Sequence, residues 1–347
     1  MLDLESPDVA RHVQAFTSNT DRTISSAHSF LLGCLPEVAV AFTTEECPPT
    51  EAERQAITLT IADTSTQYKP LLHGYKGSPA YDVLLKRAFA TSTYFSEQAT
   101  RPEVAALVDK LWRMSSFEKL DPGTPLPTAL QYMQSVQQQL MIERAHRMPL
   151  LANEGRTVLE HHEEDVIRRL ADYCMRLRYE GLRHEEQREM SRLAAGTLPA
   201  EICRRFRGRL SGEDQTRLAV YSAHDNTLMA MLAHLGLRSV PTPLFSAYIA
   251  FELHAEGTAA KEPYIRIAYN NDPTHVPLPS HDYLELPEED AIVEYEQAIS
   301  RLPCCNLDHA EFERRLFHER RSFRSVDEWR FAGHAPSCGE LMTKPMA

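Results

Sequence analysis

The sequence predicts an α/β protein in which a sheet-bearing core is interrupted by a large, all-helical insertion. Apolar, strand-like runs occur at residues 13–16, 57–61 and 218–221, toward the two ends of the 347-residue chain. Between the last two runs, residues 78–207 show the apolar spacing of amphipathic helices. Strand–turn–helix patterns flank this region on both sides, which favours an α/β core over an all-helical fold.

We predict two domains from this division. Residues 1–77 and 208–347 form the α/β core, and residues 78–207 form a helical cap inserted into it. The clearest helix of the cap covers residues 163–179. Its predicted buried face carries Val166, Leu170, Tyr173, Cys174 and Leu177.

Short-range signals place the first elements of the core. The strand at 13–16 is followed by a polar turn at 17–21 that offers several N-cap residues. The helix after this turn is predicted to end at Gly33, because glycine is common just beyond a helix end. Its apolar positions are Ile24, Ala27, Leu31 and Leu32.

Apolar patterns and strand propensity predict the elements that follow the cap. The strand at 218–221 leads through a turn into a helical pattern. β-Branched and aromatic residues at 247–254 and 264–268 predict a hairpin or two adjacent strands. Two further helices are predicted near 288–299 and 309–317.

Composition excludes several classes of protein. A formal net charge of −12 argues against a nucleic-acid-binding surface, which needs a basic patch. No segment approaches the roughly 18 consecutive apolar residues of a membrane helix. The seven cysteines are too scattered for a disulfide scaffold and lack the spacing of zinc ligands, so no metal site is predicted. Residues 1–10 contain three acids and do not resemble a signal peptide.

Two strand-to-helix turns carry the residues that suggest chemistry. The first contains Arg22 and the second contains His224 and Asp225. Turns of this kind lie at the carboxyl edge of a sheet, where ligands bind in open α/β folds. The first N–H groups of a helix also favour anions. If the two turns meet over one edge, they would form a phosphate pocket with a cation, a hydrogen-bonding histidine and an acid.

Individual motifs in the sequence also suggest three other interpretations. Ser222, His224 and Asp225 are too close in sequence to converge as a nucleophilic triad, so we reject that reading. Residues 161–164 (HHEE) lack the spacing of a zinc protease motif and are better explained as a charged helix start. Arg22 taken alone is most simply a solvated surface residue.

The same residues carry a resemblance to a known family. Residues 17–23 (TSNTDRT) with Ser26 and Ala27 resemble the RSTDxDRTxxSA segment of the histidine acid phosphatases, branch 2 of the histidine phosphatase superfamily. Residues 221–227 (YSAHDNT) resemble their YSAHDTT signature. Residues 196–198 and 264–270 resemble the segments that flank that signature, in the expected order.

The resemblance implies a phosphoglycerate-mutase-like sheet with helices on both faces, and hydrolysis of phosphate monoesters through a phosphohistidine. It implies that Arg22 and His224 bind the phosphoryl oxygens and that Asp225 is the general acid, both His224 and Asp225 being catalytic. The implied partner is a phosphorylated small molecule or a phosphoprotein, with a homodimer as a further expectation and no cofactor. It also implies a secretory, lysosomal or extracellular location, although the sequence itself leaves the compartment open.

One departure from the family pattern concerns the nucleophile. In the family it lies in an RHGxRxP segment several dozen residues before the DRT turn, and this sequence contains no such segment. Residues 11–13 (RHV) lack its glycine and second arginine, and His12 lies only ten residues before Arg22. We therefore expect an N-terminally incomplete enzyme whose nucleophile is not in this chain.

Smaller departures concern the cysteines. Ser78 and Ala247 stand where the family has cysteines, so the family's disulfides are not expected and Cys174 and Cys338 are predicted to be unpaired. Two other functions remain open at this point. One is a phosphatase-like protein that binds phosphorylated ligands without catalysis, and the other is a phytase-like inositol polyphosphate phosphatase.

Overall fold

The chain is described here by a computed structural model. The structure describes residues 9–44, 50, 56–62, 69–115, 123–148, 159–238, 242–254, 263–270 and 307–334. The helix predicted at 288–299 and the thiol of Cys338 lie outside these residues.

Four parallel strands form the main sheet. They are β1 (Val13–Ser18), β2 (Val40–Thr44), β3 (Ile57–Ala62) and β4 (Leu218–Ser222), in the order β2-β3-β1-β4. β1 pairs with β3 on one side and with β4 on the other. Parallel strands need crossover connections, which the helices after β1 and before β4 supply. The predicted α/β fold class is confirmed.

A second sheet is antiparallel. It contains β5 (Tyr248–His254), β6 (Tyr264–Asn270) and the two-residue β7 (Leu307–Asp308), in that order. β5 and β6 pair with each other, and Tyr248 of β5 lies opposite Asn270 of β6. This pairing confirms the prediction of two adjacent strands at 247–254 and 264–268.

Helices make up most of the remaining described residues. In chain order they are α1 (Asp21–Cys34), α2 (Lys69–Leu72), α3 (Pro79–Thr91), α4 (Tyr94–Ala99), α5 (Pro102–Ser115), α6 (Leu126–Leu130), α7 (Met133–Ala145), α8 (His161–Glu180), α9 (His184–Ala195), α10 (Leu198–Ser211), α11 (Asp225–Leu235), α12 (His309–Arg314) and α13 (Val326–His334). A 3₁₀ turn, Val9–His12, precedes β1, and a π turn, Arg315–Glu319, follows α12.

Two details of the first βα unit differ from the prediction. α1 continues through Gly33 to Cys34, because the backbone N–H of Leu35 still bonds to Leu31 O and the chain leaves the helix only there. The side chain of Leu32 is 43% exposed, since the buried stripe of α1 runs through Thr23, Ala27 and Leu31 at four-residue spacing. The edge strand β2 has no counterpart among the predicted strands.

The described chain divides into two compact units. Unit 1 consists of residues 1–81, 191–237 and 243–347, and unit 2 of residues 82–190 and 238–242. In unit 1, the core between the main sheet and α1 includes Val13, Ala15, Leu31, Ile57 and Leu59, all of them buried. The predicted domain boundaries at 77/78 and 207/208, and the role of the helical segment as a cap, stay predictions.

Unit 2 has a helical core of its own. The predicted apolar face of α8 lies in it: Leu170, Cys174 and Leu177 are buried, and Val166 and Tyr173 pack against them. Burial raises the pKa of the Cys174 thiol to about 12, so this free cysteine stays protonated. Residues 161–164 form the first turn of α8, the charged helix start that the sequence predicts, with a reciprocal capping box between Glu160 and Glu163.

Candidate active site

The register of the main sheet brings two strand-to-helix turns of unit 1 to one edge. β1 and β4 are parallel neighbours, and Thr17 lies opposite Ser222. The residues that follow each strand therefore lie at the same carboxyl edge. The Ser222 hydroxyl also donates to Thr23 O at 2.8 Å, which ties the end of β4 to the first turn of α1.

Arg22 and His224 meet at this edge. Arg22 Nη2 lies 3.2 Å from His224 Nδ1 although the residues are 202 apart in sequence. Arg22 is exposed, whereas His224 is partly buried. Within the described part of the chain, the side chain that Arg22 bonds is an imidazole and not a carboxylate. Its guanidinium is thus placed at the edge without a described acid to neutralise it.

Asp225 is the first residue of α11, directly after His224 in its N-cap position. The extended backbone of His224, with φ −123° and ψ 163°, turns the chain from the strand into the helix. Asp225 Oδ1 accepts bonds from the Asn226 backbone N–H at 2.8 Å and from Asn226 Nδ2 at 2.9 Å. α1 and α11 both begin at this edge, so two sets of helix N–H groups favour negative charge there.

Hydroxyl groups of β1 and α1 line the inner side of the same site. Ser18 Oγ lies 3.0 Å from His224 Nε2 and 2.9 Å from Thr23 Oγ1. Thr23 Oγ1 in turn lies 2.8 Å from Ser18 O and 2.9 Å from Thr20 O. Ser18 and Thr23 are buried. Both lie within the 17–23 motif, but the sequence patterns assigned neither of them a role at the site.

His73 is a second imidazole at the site that the sequence patterns missed. Its ring centroid lies 4.8 Å from that of His224, with an angle of 34° between the planes, and it is only 1% exposed. Thr227 Oγ1 donates to the preceding carbonyl, Leu72 O, at 2.7 Å. The one sequence signal available was the glycine that follows, Gly74.

Gly74 packs against Gly196 where two backbones approach closely. A Cβ on Gly74 would press on Ala194 O, and one on Gly196 would collide with Pro70 O. Gly196 also has φ +60°, and the adjacent Thr197 N–H bonds to Pro70 O at 3.0 Å. Both positions therefore require glycine, and their contact holds the His73 segment in place.

His12 lies away from this site. It immediately precedes β1, and its Nδ1 lies 2.9 Å from Gln215 O, before the start of β4. Ser18 is the sixth and last residue of β1, so six residue steps separate it from His12, a distance of about 20 Å at roughly 3.3 Å per strand residue. His12 therefore occupies the amino edge of the sheet, opposite to the edge that carries His224.

A separate arginine cluster covers a face of the sheet in unit 1. Arg205 of α10 is 8% exposed and lies over the rings of Phe16 and Tyr221, with centroid distances of 5.3 and 5.7 Å. Its Nε lies 2.8 Å from Glu201 Oε1, and its Nη2 donates to Gln14 Oε1 at 3.0 Å. Burial opposes ionisation of Glu201, but bonds from Arg204 and the charge of Arg205 outweigh it and lower the pKa of that carboxyl.

Comparison with known proteins agrees with the geometry of the edge. The family model of the histidine phosphatase superfamily (branch 2) matches residues 1–270, which include Arg22, His224 and Asp225. The chain belongs to this family. The helices α12 and α13 lie beyond the matched residues.

Two acid phosphatases show the degree of sequence similarity. Human testicular acid phosphatase is 27% identical over 280 residues, which cover 79% of this chain and 60% of that protein. Bovine lysosomal acid phosphatase is 29% identical over 169 residues, or 46% of this chain and 38% of the relative. The chain thus spans about three fifths of the length of the human testicular protein. Among solved structures, Hafnia alvei phytase aligns with a TM-score of 0.48 and 12% identity, covering 75% of this chain and 66% of that one.

The described residues offer neither a cluster of metal ligands nor a membrane-spanning helix. No group of three or more His, Cys, Asp or Glu side chains in the described part of the chain could hold a metal ion. No described helix is long and apolar enough to cross a lipid bilayer.

Proposed function

We propose that this chain binds the phosphoryl group of a phosphate monoester at the carboxyl edge of β1 and β4, as part of an acid-phosphatase-type hydrolysis. The observation that carries the proposal is the 3.2 Å approach of Arg22 Nη2 to His224 Nδ1, at an edge where two helices begin. A planar guanidinium suits the tetrahedral oxygens of a phosphoryl group. The relatives named above as acid phosphatases support the reaction class.

Each of the three edge residues has a role that fits its chemistry. Arg22 and His224 hydrogen-bond to the non-bridging oxygens and stabilise the charge that develops on the transferring group. Asp225 protonates the oxygen of the leaving alcohol as the P–O bond breaks. Asp225 directly follows His224 at the start of α11, which supports this role.

We place the nucleophile in a segment outside the 347 residues. The phosphohistidine mechanism needs a histidine at the same edge that can reach the phosphorus atom. His12 lies at the opposite edge, and His73 is 1% exposed. Within the described strands, β4 pairs only with β1. A further parallel strand beside β4 would deliver its last side chain to the edge that holds Arg22 and His224.

The substrate class follows from charge. A net charge of −12 gives little attraction for a ligand with many phosphates, so we favour phosphate monoesters over inositol polyphosphates. A phosphorylated small molecule and a phosphoprotein both present the single group that this site fits.

The full chain tests the proposal in two assays. Titration with tungstate, a tetrahedral oxyanion, should show binding at one site. Arg22→Ala should weaken this binding by about 10- to 100-fold, whereas Arg113→Ala, at an exposed arginine of unit 2, should leave it unchanged. Hydrolysis of p-nitrophenyl phosphate in mild acid should be negligible. Absence of oxyanion binding would overturn the proposed site. Robust turnover that is abolished by His12→Ala would overturn the placement of the nucleophile.

The transcript offers an independent test of the nucleophile. We expect an in-frame RHGxRxP segment upstream of the codon for Met1. A reading frame that is closed directly before that codon would contradict this expectation and favour the second function, in which the chain binds phosphorylated ligands without hydrolysing them.

A further inference from the structure

We infer that Ser18 is a positioning residue that fixes the tautomer of His224 and so reserves the Nδ1 atom of that ring for the phosphoryl group. The inference rests on the proposed phosphoryl site and deepens it. It assigns to a buried serine a function that neither its burial nor its position in the sequence reveals.

The starting observation is that both ring nitrogens of His224 have a neighbour. Nε2 lies 3.0 Å from Ser18 Oγ, and Nδ1 lies 3.2 Å from Arg22 Nη2. A guanidinium has only donors, so Nδ1 accepts its hydrogen bond through a lone pair. A proton on Nδ1 would set two donors against each other. In this arrangement the ring proton therefore resides on Nε2.

The direction of the remaining bonds agrees with that assignment. The Nε2–H group donates to Ser18 Oγ, so the Ser18 hydroxyl hydrogen is available for its other neighbour, Thr23 Oγ1 at 2.9 Å. Thr23 Oγ1 has a single hydrogen, which faces the carbonyl oxygens of Ser18 and Thr20 at 2.8 and 2.9 Å, and a carbonyl oxygen can only accept it. The chain of donors thus runs one way, from the His224 ring through two hydroxyls to the backbone.

Burial makes this chain of bonds difficult to reverse. Ser18 is 0% exposed and Thr23 is 3% exposed, so water does not compete for either hydroxyl. A buried hydroxyl left without its partner carries a desolvation cost. The ring face of His224 also packs against His73, whose centroid lies 4.8 Å away, which limits rotation of the imidazole. Ser18 sets the protonated nitrogen, and His73 sets the plane of the ring.

The consequence for the proposed site is a defined proton position. When a monoester binds as its monoanion, the proton on a phosphoryl oxygen passes to the Nδ1 lone pair. The phosphoryl group becomes the dianion, and the imidazolium Nδ1–H donates back to the same oxygen. Arg22 Nη2 then donates to a phosphoryl oxygen instead of to Nδ1. Throughout, Nε2–H stays bonded to Ser18 Oγ, so nothing else in the site has to rearrange.

The full-length chain with ¹⁵N-labelled histidine provides the direct test, since two-bond ¹H–¹⁵N spectra distinguish protonated from unprotonated ring nitrogens. The ring signals of His224 are assigned with His224→Gln. Without added anion, we expect Nε2 protonated and Nδ1 unprotonated in the wild type and in Ser18→Thr, which keeps the hydroxyl. In Ser18→Ala the tautomer ratio should shift by roughly fivefold, the factor that one net hydrogen bond confers.

The outcomes separate this inference from the proposed function. A wild-type His224 ring protonated on Nδ1 overturns the inference, and this result needs no variant to fold. A Ser18→Ala protein that melts cooperatively and keeps the wild-type tautomer ratio also overturns it. If the tautomer is as inferred but tungstate does not bind the wild type, the proposed phosphoryl site fails while the assignment of the ring proton stands. If both hold, tungstate affinity should fall roughly fivefold in Ser18→Ala and stay near wild type in Ser18→Thr.

Discussion

Arg22 and Arg205, two of the arginines of unit 1, lie in opposite electrostatic settings. Arg205 lies on a face of the main sheet, 8% exposed, with Glu201 at 2.8 Å, Asp214 at 3.7 Å and two aromatic rings around its guanidinium. Arg22 is exposed at the carboxyl edge, and its described partner is the imidazole of His224. The first is paired with acids of its own protein, whereas the second is the one that we propose binds an anion from outside.

The difference explains why the two residues should respond differently to substitution. The charge of Arg205 is balanced inside the fold, so its removal takes a buried guanidinium away from the partly buried carboxylates of Glu201 and Asp214 and damages stability. The charge of Arg22 is balanced by solvent, so its removal leaves the fold intact and damages binding. Because the helix dipole opposes an arginine at a helix start, we propose that ligand binding and not stability accounts for Arg22.

The largest effect is expected for Arg205→Ala. The substitution should lower the free energy of unfolding by about 3 kcal/mol, since it removes a buried guanidinium from the partly buried carboxylates of Glu201 and Asp214 and from the Tyr221 hydroxyl. Urea denaturation measures the change. The neighbouring Arg204→Ala is the matched control, because Arg204 also pairs with Glu201 but its side chain is 60% exposed. Equal losses in the two variants would contradict the structural role given to Arg205.

Arg22→Ala should have the next largest effect, on binding alone. We expect tungstate affinity to fall by about 10- to 100-fold, the size of one or two charge-assisted hydrogen bonds. The free energy of unfolding should change by no more than about 0.5 kcal/mol, as is usual for exposed positions. A variant that loses stability as Arg205→Ala does, with affinity retained, would remove the distinction between the two arginines.

The sequence predicts the candidate site residues that lie in local motifs better than those that reach the site through tertiary contacts. The DRT and HD motifs identify Arg22, His224 and Asp225 because each stands at a strand-to-helix turn, and turn chemistry is local. The meeting of the two turns depends on the pairing of β1 with β4, which the order of the motifs suggests but does not specify. Ser18 and His73 could not be predicted, since their roles depend on tertiary contacts. His73 reaches the site only because Gly74 and Gly196 let two backbones touch.

The end of α1 lies one residue beyond the prediction. Gly33 looks like a helix stop, but α1 ends at Cys34 and the N–H of Leu35 still bonds to Leu31 O, because a glycine permits a helix to end without fixing its last residue. The burial of Arg205 could not be predicted from the sequence either. Its neighbours in the sequence, Arg204 and Arg207, look equivalent to it, and only packing on the sheet makes it the buried one.

Asp225→Asn should sharpen the assignment of the edge as an anion site. Because the substitution removes a negative charge beside the bound oxyanion, tungstate affinity should rise by about two- to fivefold at neutral pH. The amide keeps an oxygen that can accept from Asn226, so little change in stability is expected. Weaker binding in this variant, measured by the same titration, would place Asp225 away from the anion.

The smallest expected effect concerns pH and Glu201. The pKa of Glu201 is lowered in the folded chain by Arg204 and Arg205 against the opposing effect of burial. The resulting stability is fully present above the unfolded-state pKa of about 4.3 and is lost as pH falls through the lower folded-state pKa. Urea denaturation from pH 6 to pH 3 should therefore show a shallower loss in Glu201→Gln than in the wild type. The exposed carboxylate variant Glu103→Gln should follow the wild type, and a Glu201→Gln curve parallel to it would contradict the ion-pair account.

The position of a bound oxyanion tests the central claim most directly. In crystals of the full chain soaked with tungstate, we expect the anomalous signal of tungsten within about 4–5 Å of both the Arg22 guanidinium and His224 Nδ1, as hydrogen bonds from these groups to tungstate oxygens require. A signal at another arginine cluster, with none at the carboxyl edge of β1 and β4, would contradict the assignment of this edge as a phosphoryl site.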